Sequence, residues 1–386
     1  MVKMLYLTNI PTPYRNKRFN MMNKIFKDYG IDLTVYFMRK TENGRYWDID
    51  SMDLEYNYYI DKGFYAHYRG IHWHFNPSIF NSLRKNKYDI VIVGGISSPS
   101  HWLAPYFLKE NQFKILSVES NPQSEVRKSK FARSIKSKLI KKYDTFQITG
   151  NRCRDYLKQI DTSTENKPMI TLPNLIDEDS LNVEDSNKAE IRSEIRKRYK
   201  VKENEQLWIL PARLEPVKGL DIFLPATKGL SNVKILVAGE GKQKSNLESL
   251  IKREDLPVNI IGQVNSNEML NLYLSADLFV LPSIQDPSPL SPIEASFIGL
   301  PLLVSSRIGN YDDVYVDQPN EKNGWGFDPY QEQDEIKSLL QDISKLEIEE
   351  LRNMGNISKM NYDKNFNIEQ RLTSYASQIL EFLKQK

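Results

Sequence analysis

The sequence predicts an α/β protein built from two doubly wound parallel-sheet domains in series. Three observations carry this. The chain has 386 residues, and at roughly 150 residues per domain that is two to three domains. Short apolar runs alternate with helical patterns along the whole length, the mark of βαβ units. The charge also divides: residues 1–173 hold 28 Lys and Arg against 16 Asp and Glu, whereas 174–386 hold 25 against 34. A basic half joined to an acidic one points to a first half that meets something anionic, such as a phosphorylated acceptor or a lipid surface. With 40% apolar residues, 17 Gly and 19 Pro, a collagenous or linker protein is excluded and a folded, soluble chain is expected. The single cysteine, Cys153, cannot form an internal disulfide, which makes a reducing compartment the simplest setting. The first apolar stretch is shorter than a secretory core and no run of 18 apolar residues occurs, so neither export nor a membrane span is expected.

Taken in order, the first half places strands at 2–7, 31–37, 90–93, 114–118 and 145–148, with helices near 15–29, 101–109 and 127–143. The second half places strands at 207–211, 233–238, 259–261, 278–281 and 302–304, with helices after Gly219, Lys242, Asn267 and Pro292. The charged, apolar-poor stretch 178–187 reads as the linker, which gives an N-terminal domain over 1–173 and a C-terminal domain over 174–365. A last helical pattern, Ile368, Leu372, Tyr375, Ile379, Phe382 and Leu383, fills 366–386. In open α/β sheets ligands sit beyond the carboxyl ends of strands, and two such domains in series are expected to face a central cleft.

The residues that carry chemistry follow strands. After 207–211 come Arg213 and Lys218, then Gly219 opening a helix. Two cations beside a helix start suit a diphosphate, with Arg gripping oxygens bidentately and Lys acting as a point charge. Gly239 and Gly241 end the next strand and permit close approach of a backbone to a ligand, though turns use glycines as well. A proline-rich loop then carries Asp286 and leads to Glu294. Ser291 reads as an N-cap, Pro292 as the first helical residue and Glu294 as the partner in a capping box. Asp286 has no such role at a helix start. A rigid loop that holds an acid and aims the Leu290 and Ser291 amides at the crevice suits a polyol beside a phosphate.

In this order the elements resemble the retaining glycosyltransferases of the GT-B fold, family 4 type, the glycosyl transferases group 1. The resemblance is strong over residues 207–327. It includes the Arg213-x4-Lys218-Gly219 segment, the Gly239-Glu-Gly241 loop, the run from Asn271 to Ser283 and the Asp286-x7-Glu294 element. It implies a GT-B fold whose C-terminal helix returns to the N-terminal domain. It also implies that Arg213 and Lys218 hold the donor diphosphate, that Glu294 contacts the ribose and that Asp286 contacts the transferred sugar. The family more often has Glu where Asp286 stands, so the reach here is one methylene shorter. The N-terminal half resembles the family more loosely. Asn9 to Arg15 replaces a Gly-rich loop, Leu175 stands where Gly is common, and Glu119, followed by Asn121, takes the place of a His. Tyr14, Arg15 and Asn121 are expected on the acceptor side, and Glu119 beside the transferred sugar.

Other patterns weigh less. Asp48 and Asp50 mimic a metal-binding acid pair but follow no apolar strand, and Arg45 and Trp47 read as aromatic core or acceptor groove. His72 and His74 lack a third ligand, so no metal site is expected. Residues 127–142 hold eight cations and no acid, with Phe131, Ile135 and Leu139 on one face. That pattern fits either a packed helix with a solvated side or docking to anionic lipid headgroups. No aromatics interleave for stacking, which speaks against nucleic acid.

The combined expectation is a metal-independent enzyme that moves a sugar, with retention, from a nucleotide-diphosphate donor to a hydroxyl of a glycan or lipid-linked acceptor. It would serve cell-surface polysaccharide assembly in the cytoplasm or at the inner membrane face. The donor is a substrate and no cofactor is expected. Two rivals share the fold: a nucleotide-sugar epimerase, which needs no acceptor, and a non-catalytic partner subunit.

Overall fold

The computed structural model describes every residue except 44–51, 69–70, 86 and 125–128. Arg45, Trp47, Asp48, Asp50 and the first two cations of the basic stretch, Arg127 and Lys128, therefore lie outside the described residues. The chain forms two compact units, Met1–Leu175 with Asn367–Lys386, and Ile176–Phe366.

The first unit is built on strands β1 (Val2–Thr8), β2 (Ile31–Phe37), β3 (Asn57–Ile60), β6 (Ile90–Val93), β7 (Phe113–Val118), β8 (Thr145–Ile148) and β9 (Met169–Thr171), with a hairpin of β4 (Phe64–Tyr68) and β5 (Ile71–Phe75) beside them. The sheet order is β3-β2-β1-β6-β7-β8-β9, and the pairings are parallel. Central strands such as Ile90–Val93 are buried at every residue. Such continuous apolar runs belong to strands covered on both faces by helices. One face packs Phe19, Phe26, Leu33 and Val35 together with Leu372, Tyr375 and Ile379 of the C-terminal helix Ile368–Gln385. The other packs Leu5, Leu7, Val91, Leu116, Phe146 and Ile148.

Along the first face runs a buried polar network. The Tyr375 hydroxyl donates to Gln147 Oε1, and Gln147 Nε2 donates to Tyr6 Oη (3.1 Å) and Ser117 Oγ (3.0 Å). Tyr375 also stacks on Phe26, with ring centroids 6.1 Å apart.

The second unit contains β10 (Gln206–Pro211), β11 (Val233–Ala238), β12 (Val258–Gly262), β13 (Leu278–Leu281), β14 (Leu302–Ser305), the short hairpin β15 (Asp317–Gln318) and β16 (Glu321–Lys322), and β17 (Gly324–Phe327). Its parallel sheet runs β12-β11-β10-β13-β14-β17. Both domains are therefore Rossmann-like, as the alternating pattern predicts. The strands that the pattern does not predict are the antiparallel hairpins β4–β5 and β15–β16 and the edge strands β3, β9 and β17.

Candidate functional site

In the second unit two loops at the carboxyl ends of β10 and β13 bring Asp286 and one of the cations together. Past β10 the chain makes a short 3-10 turn, Pro216–Lys218, closed by Gly219 in the left-handed region (φ 67°). A Cβ at Gly219 would lie 2.5 Å from the Pro282 carbonyl oxygen, so glycine is needed twice over at this crossing. The amides of Ile284 and Gln285 donate to the Val217 carbonyl at 3.0 and 3.2 Å, tying the 282–290 loop to the 212–219 loop. Asp286 is fixed from its far side, where its carbonyl accepts from the Gly309 amide (2.8 Å).

The result is a close ion pair: Lys218 Nζ lies 2.5 Å from Asp286 Oδ2, with the two side chains 14% and 15% exposed. Arg213 projects into solvent and has no ion-pair partner among the described residues. It presents an open guanidinium fork at the end of β10.

Gly239 and Gly241 do something more definite than leave room for a ligand. A Cβ on Gly239 would fall 2.0 Å from the Ala212 carbonyl oxygen, and one on Gly241 2.4 Å from that of Leu214. The Leu214 amide donates to the Glu240 carbonyl at 2.9 Å. These glycines let the loop after β11 lie directly on the loop that carries Arg213.

The capping box expected at Ser291 is not formed. The helix runs Ser291–Ile298 with Leu290 as its N-cap, already in the right-handed region, and no side chain caps it. Because the chain turns helical at Leu290, Ser291 sits inside the first turn. The Leu290 and Ser291 amides have no backbone acceptor among the described residues, as the first amides of a helix must. The Glu294 carboxylate is consequently free of helix capping. It accepts from the Tyr273 hydroxyl (Oη to Oε2 3.0 Å), and burial pushes its carboxyl above the ordinary range, a shift this hydrogen bond opposes. Tyr273, which sequence reading did not single out, is thus part of the site. Its signal was its place in the Asn271–Ser283 run.

In the first unit the ends of β1 and β7, separated by one strand, bring Arg15 and Glu119 into range. Arg15 Nη1 donates to Thr8 Oγ1 (3.1 Å), and Nη2 lies 3.9 Å from Glu119 Oε1. Glu119 stays 41% exposed. Tyr14 is exposed beside the guanidinium, whereas Asn121 is buried. His101 was missed. It lies in the helix Pro99–Phe107 after β6, buried, with neither ring nitrogen partnered among the described residues. Burial, followed by the nearby His74 and Arg15, pushes its imidazole down to about 3, so the ring is neutral. The Gly94-Gly95 step and Pro99 at the helix start were the available signals. His74 Nε2 meets Glu42 Oε1 at 2.9 Å and His72 Nδ1 meets Tyr65 Oη at 2.8 Å. Among the described residues no three His, Cys, Asp or Glu side chains are grouped to hold a metal ion.

Two parallel-sheet Rossmann-like domains with these loops at the carboxyl edge define the GT-B class. Solved structures agree at the level of fold. Anabaena Alr3699/HepE in complex with UDP and glucose superposes with a TM-score of 0.72 at 15% identity, covering 100% of both chains. WaaG, a glycosyltransferase involved in lipopolysaccharide biosynthesis, gives 0.64 at 16%, covering 97% of this chain and 99% of that one.

Residues 191–360 match the family model for glycosyl transferases group 1, so this segment, which lies wholly inside the second unit, belongs to that family. Sulfoquinovosyl transferase SQD2 of Arabidopsis thaliana is 30% identical over 139 residues, 35% of this chain and 27% of that protein. An uncharacterized glycosyltransferase of Methanocaldococcus jannaschii is 27% identical over 173 residues, 41% of this chain and 44% of that protein. The chain thus spans less than half the length of these curated relatives.

Proposed function

We propose that the protein is a retaining glycosyltransferase that uses a nucleotide-diphosphate sugar as donor and a hydroxyl of a glycan or lipid-linked glycan as acceptor. The observation that carries this reading is the Lys218–Asp286 pair at the carboxyl ends of β10 and β13, in the segment that matches the family, with Arg213 exposed after β10 and the Leu290 and Ser291 amides and Glu294 following Asp286 at the start of the next helix.

The bond from the anomeric carbon to the diphosphate oxygen breaks, and negative charge grows on that oxygen. Arg213, Lys218 and the helix-start amides are placed to stabilise it, which assigns the charge neutralisation to the chain itself and calls for no metal. Asp286 accepts from sugar hydroxyls and Glu294 from the ribose. The acceptor oxygen bonds to the same face of the anomeric carbon, and its proton passes to the departing phosphate oxygen. In the first unit Tyr14, Arg15 and Asn121 take the acceptor, and Glu119 acts on the transferred sugar. The test is a thermal-shift screen of UDP-, GDP- and ADP-sugars followed by product analysis. One nucleotide sugar is expected to raise the melting temperature and to be consumed only with acceptor present. Consumption with donor alone and return of an isomerised sugar nucleotide would show an epimerase instead.

We further propose that the enzyme works in the cytoplasm at an anionic membrane surface, in cell-surface polysaccharide assembly. Among the described residues no helix is long and apolar enough to cross a membrane. The helix Lys130–Ile140 offers a docking face: Leu139 is buried, but Phe131 is 77% and Ile135 44% exposed among exposed cations. Exposed apolar groups beside Lys and Arg fit anionic headgroups over acyl chains. Replacing Phe131 and Ile135 together by Ser is expected to weaken binding to phosphatidylglycerol vesicles at least about tenfold, since each apolar side chain contributes about 1.5–3 kcal/mol when fully buried. Equal sedimentation of both proteins with vesicles would reject the docking face.

A further inference from the structure

Lys218 is assigned above to the donor diphosphate, yet its ammonium is already held by a carboxylate. The pair is close, with Nζ 2.5 Å from Asp286 Oδ2, and both side chains are mostly withdrawn from solvent. Both loops are braced by backbone bonds, Ile284 and Gln285 to Val217 and Gly309 to Asp286, which hold the main chains of the two partners side by side. A diphosphate that takes the Lys218 ammonium must therefore compete with Asp286. Having won, it leaves beside its own negative oxygens a carboxylate stripped of its ion-pair partner.

The two ligands of such a site differ on this point. A nucleotide sugar brings hydroxyl donors that replace Lys218 as partners of the Asp286 carboxylate. A bare nucleoside diphosphate brings none, and its terminal phosphate carries one more charge. We infer that Asp286 is a specificity-determining residue that sets the preference of the site for sugar-bearing donor over bare nucleoside diphosphate, the product that must leave. The carboxylate disfavours what remains after transfer and so speeds turnover at the step where many transferases are slow. This rests on the donor reading of the site given above.

Calorimetry on the full chain tests it, with UDP, GDP and ADP and their glucose conjugates as probes, on wild type, Asp286→Asn and Asp286→Ala. Neither variant removes a backbone contact of residue 286, and melting curves verify folding. With the base that wild type binds, both variants are expected to bind the bare diphosphate at least about fivefold more tightly. Affinity for the glucose conjugate should stay level or fall, so that the ratio of the two dissociation constants shifts at least fivefold toward the bare diphosphate. Unchanged or weaker diphosphate binding in the variants, or equal tightening of both ligands, overturns the inference while leaving the donor site in place. Failure of wild type to bind any of the three diphosphates or their glucose conjugates overturns the donor site and this inference with it.

Discussion

Lys218→Ala is expected to lower turnover by about 10²–10³-fold, equivalent to roughly 3–4 kcal/mol of lost transition-state stabilisation, while melting shifts by no more than about 2 °C. The backbone of the turn does not depend on the side chain. Its amide bonds to the Glu215 carbonyl at 2.9 Å, and Gly219 sets the left-handed exit. The ammonium is the half-buried charge of the pair, whereas Arg213 is solvated, so Lys218 carries the larger share of neutralisation in a drier setting. Its removal also leaves Asp286 without its ion-pair partner beside the growing negative charge. Steady-state kinetics should show the fall in kcat/KM, and Lys218→Arg should recover part of it. Full turnover in Lys218→Ala would remove Lys218 from the chemistry.

The largest effect on stability is expected at Tyr375. Tyr375→Ala should cost about 3–5 kcal/mol, the usual range for deleting a buried aromatic ring. The ring is fully buried against Phe26, and its hydroxyl satisfies Gln147 Oε1 in a network that also holds Tyr6 and Ser117. Deletion opens a cavity and strands a buried acceptor at once. Burial pushes this phenol well above its ordinary value, so it remains a neutral donor throughout the working pH range. Tyr375→Phe isolates the hydroxyl and should cost about 1–2 kcal/mol. Denaturant unfolding should show the early transition confined to the first unit. A loss below about 1 kcal/mol for Tyr375→Ala would contradict the packing described.

Much of this was legible in the sequence, for identifiable reasons. Ile90–Val93 and Leu278–Leu281 are buried at every residue, and apolar runs too short for a helix fit central strands of a covered parallel sheet. Asn57–Ile60 escaped because an edge strand with exposed residues reads like a tyrosine-rich loop. Arg213, Lys218, Asp286 and Glu294 were legible through spacing after strands. The capping box failed because Ser-Pro-x-Glu also fits a helix that starts one residue earlier, and only the dihedrals at Leu290 separate the two. The Lys218–Asp286 and Tyr273–Glu294 contacts join residues 68 and 21 positions apart, and the first depends on β10 and β13 being neighbours. Local sequence holds no record of that adjacency.

The first unit is not continuous in the chain: Asn367–Lys386 completes a core begun by Met1–Leu175. During translation the opening 175 residues must therefore wait, one helix short, while all of Ile176–Phe366 is made. The later-coded unit can mature first, and the earlier one exposes the Phe26, Leu33 and Val35 face until Asn367–Lys386 has emerged from the ribosome. Nascent chains stalled before Asn367 should consequently be the ones that recruit chaperones.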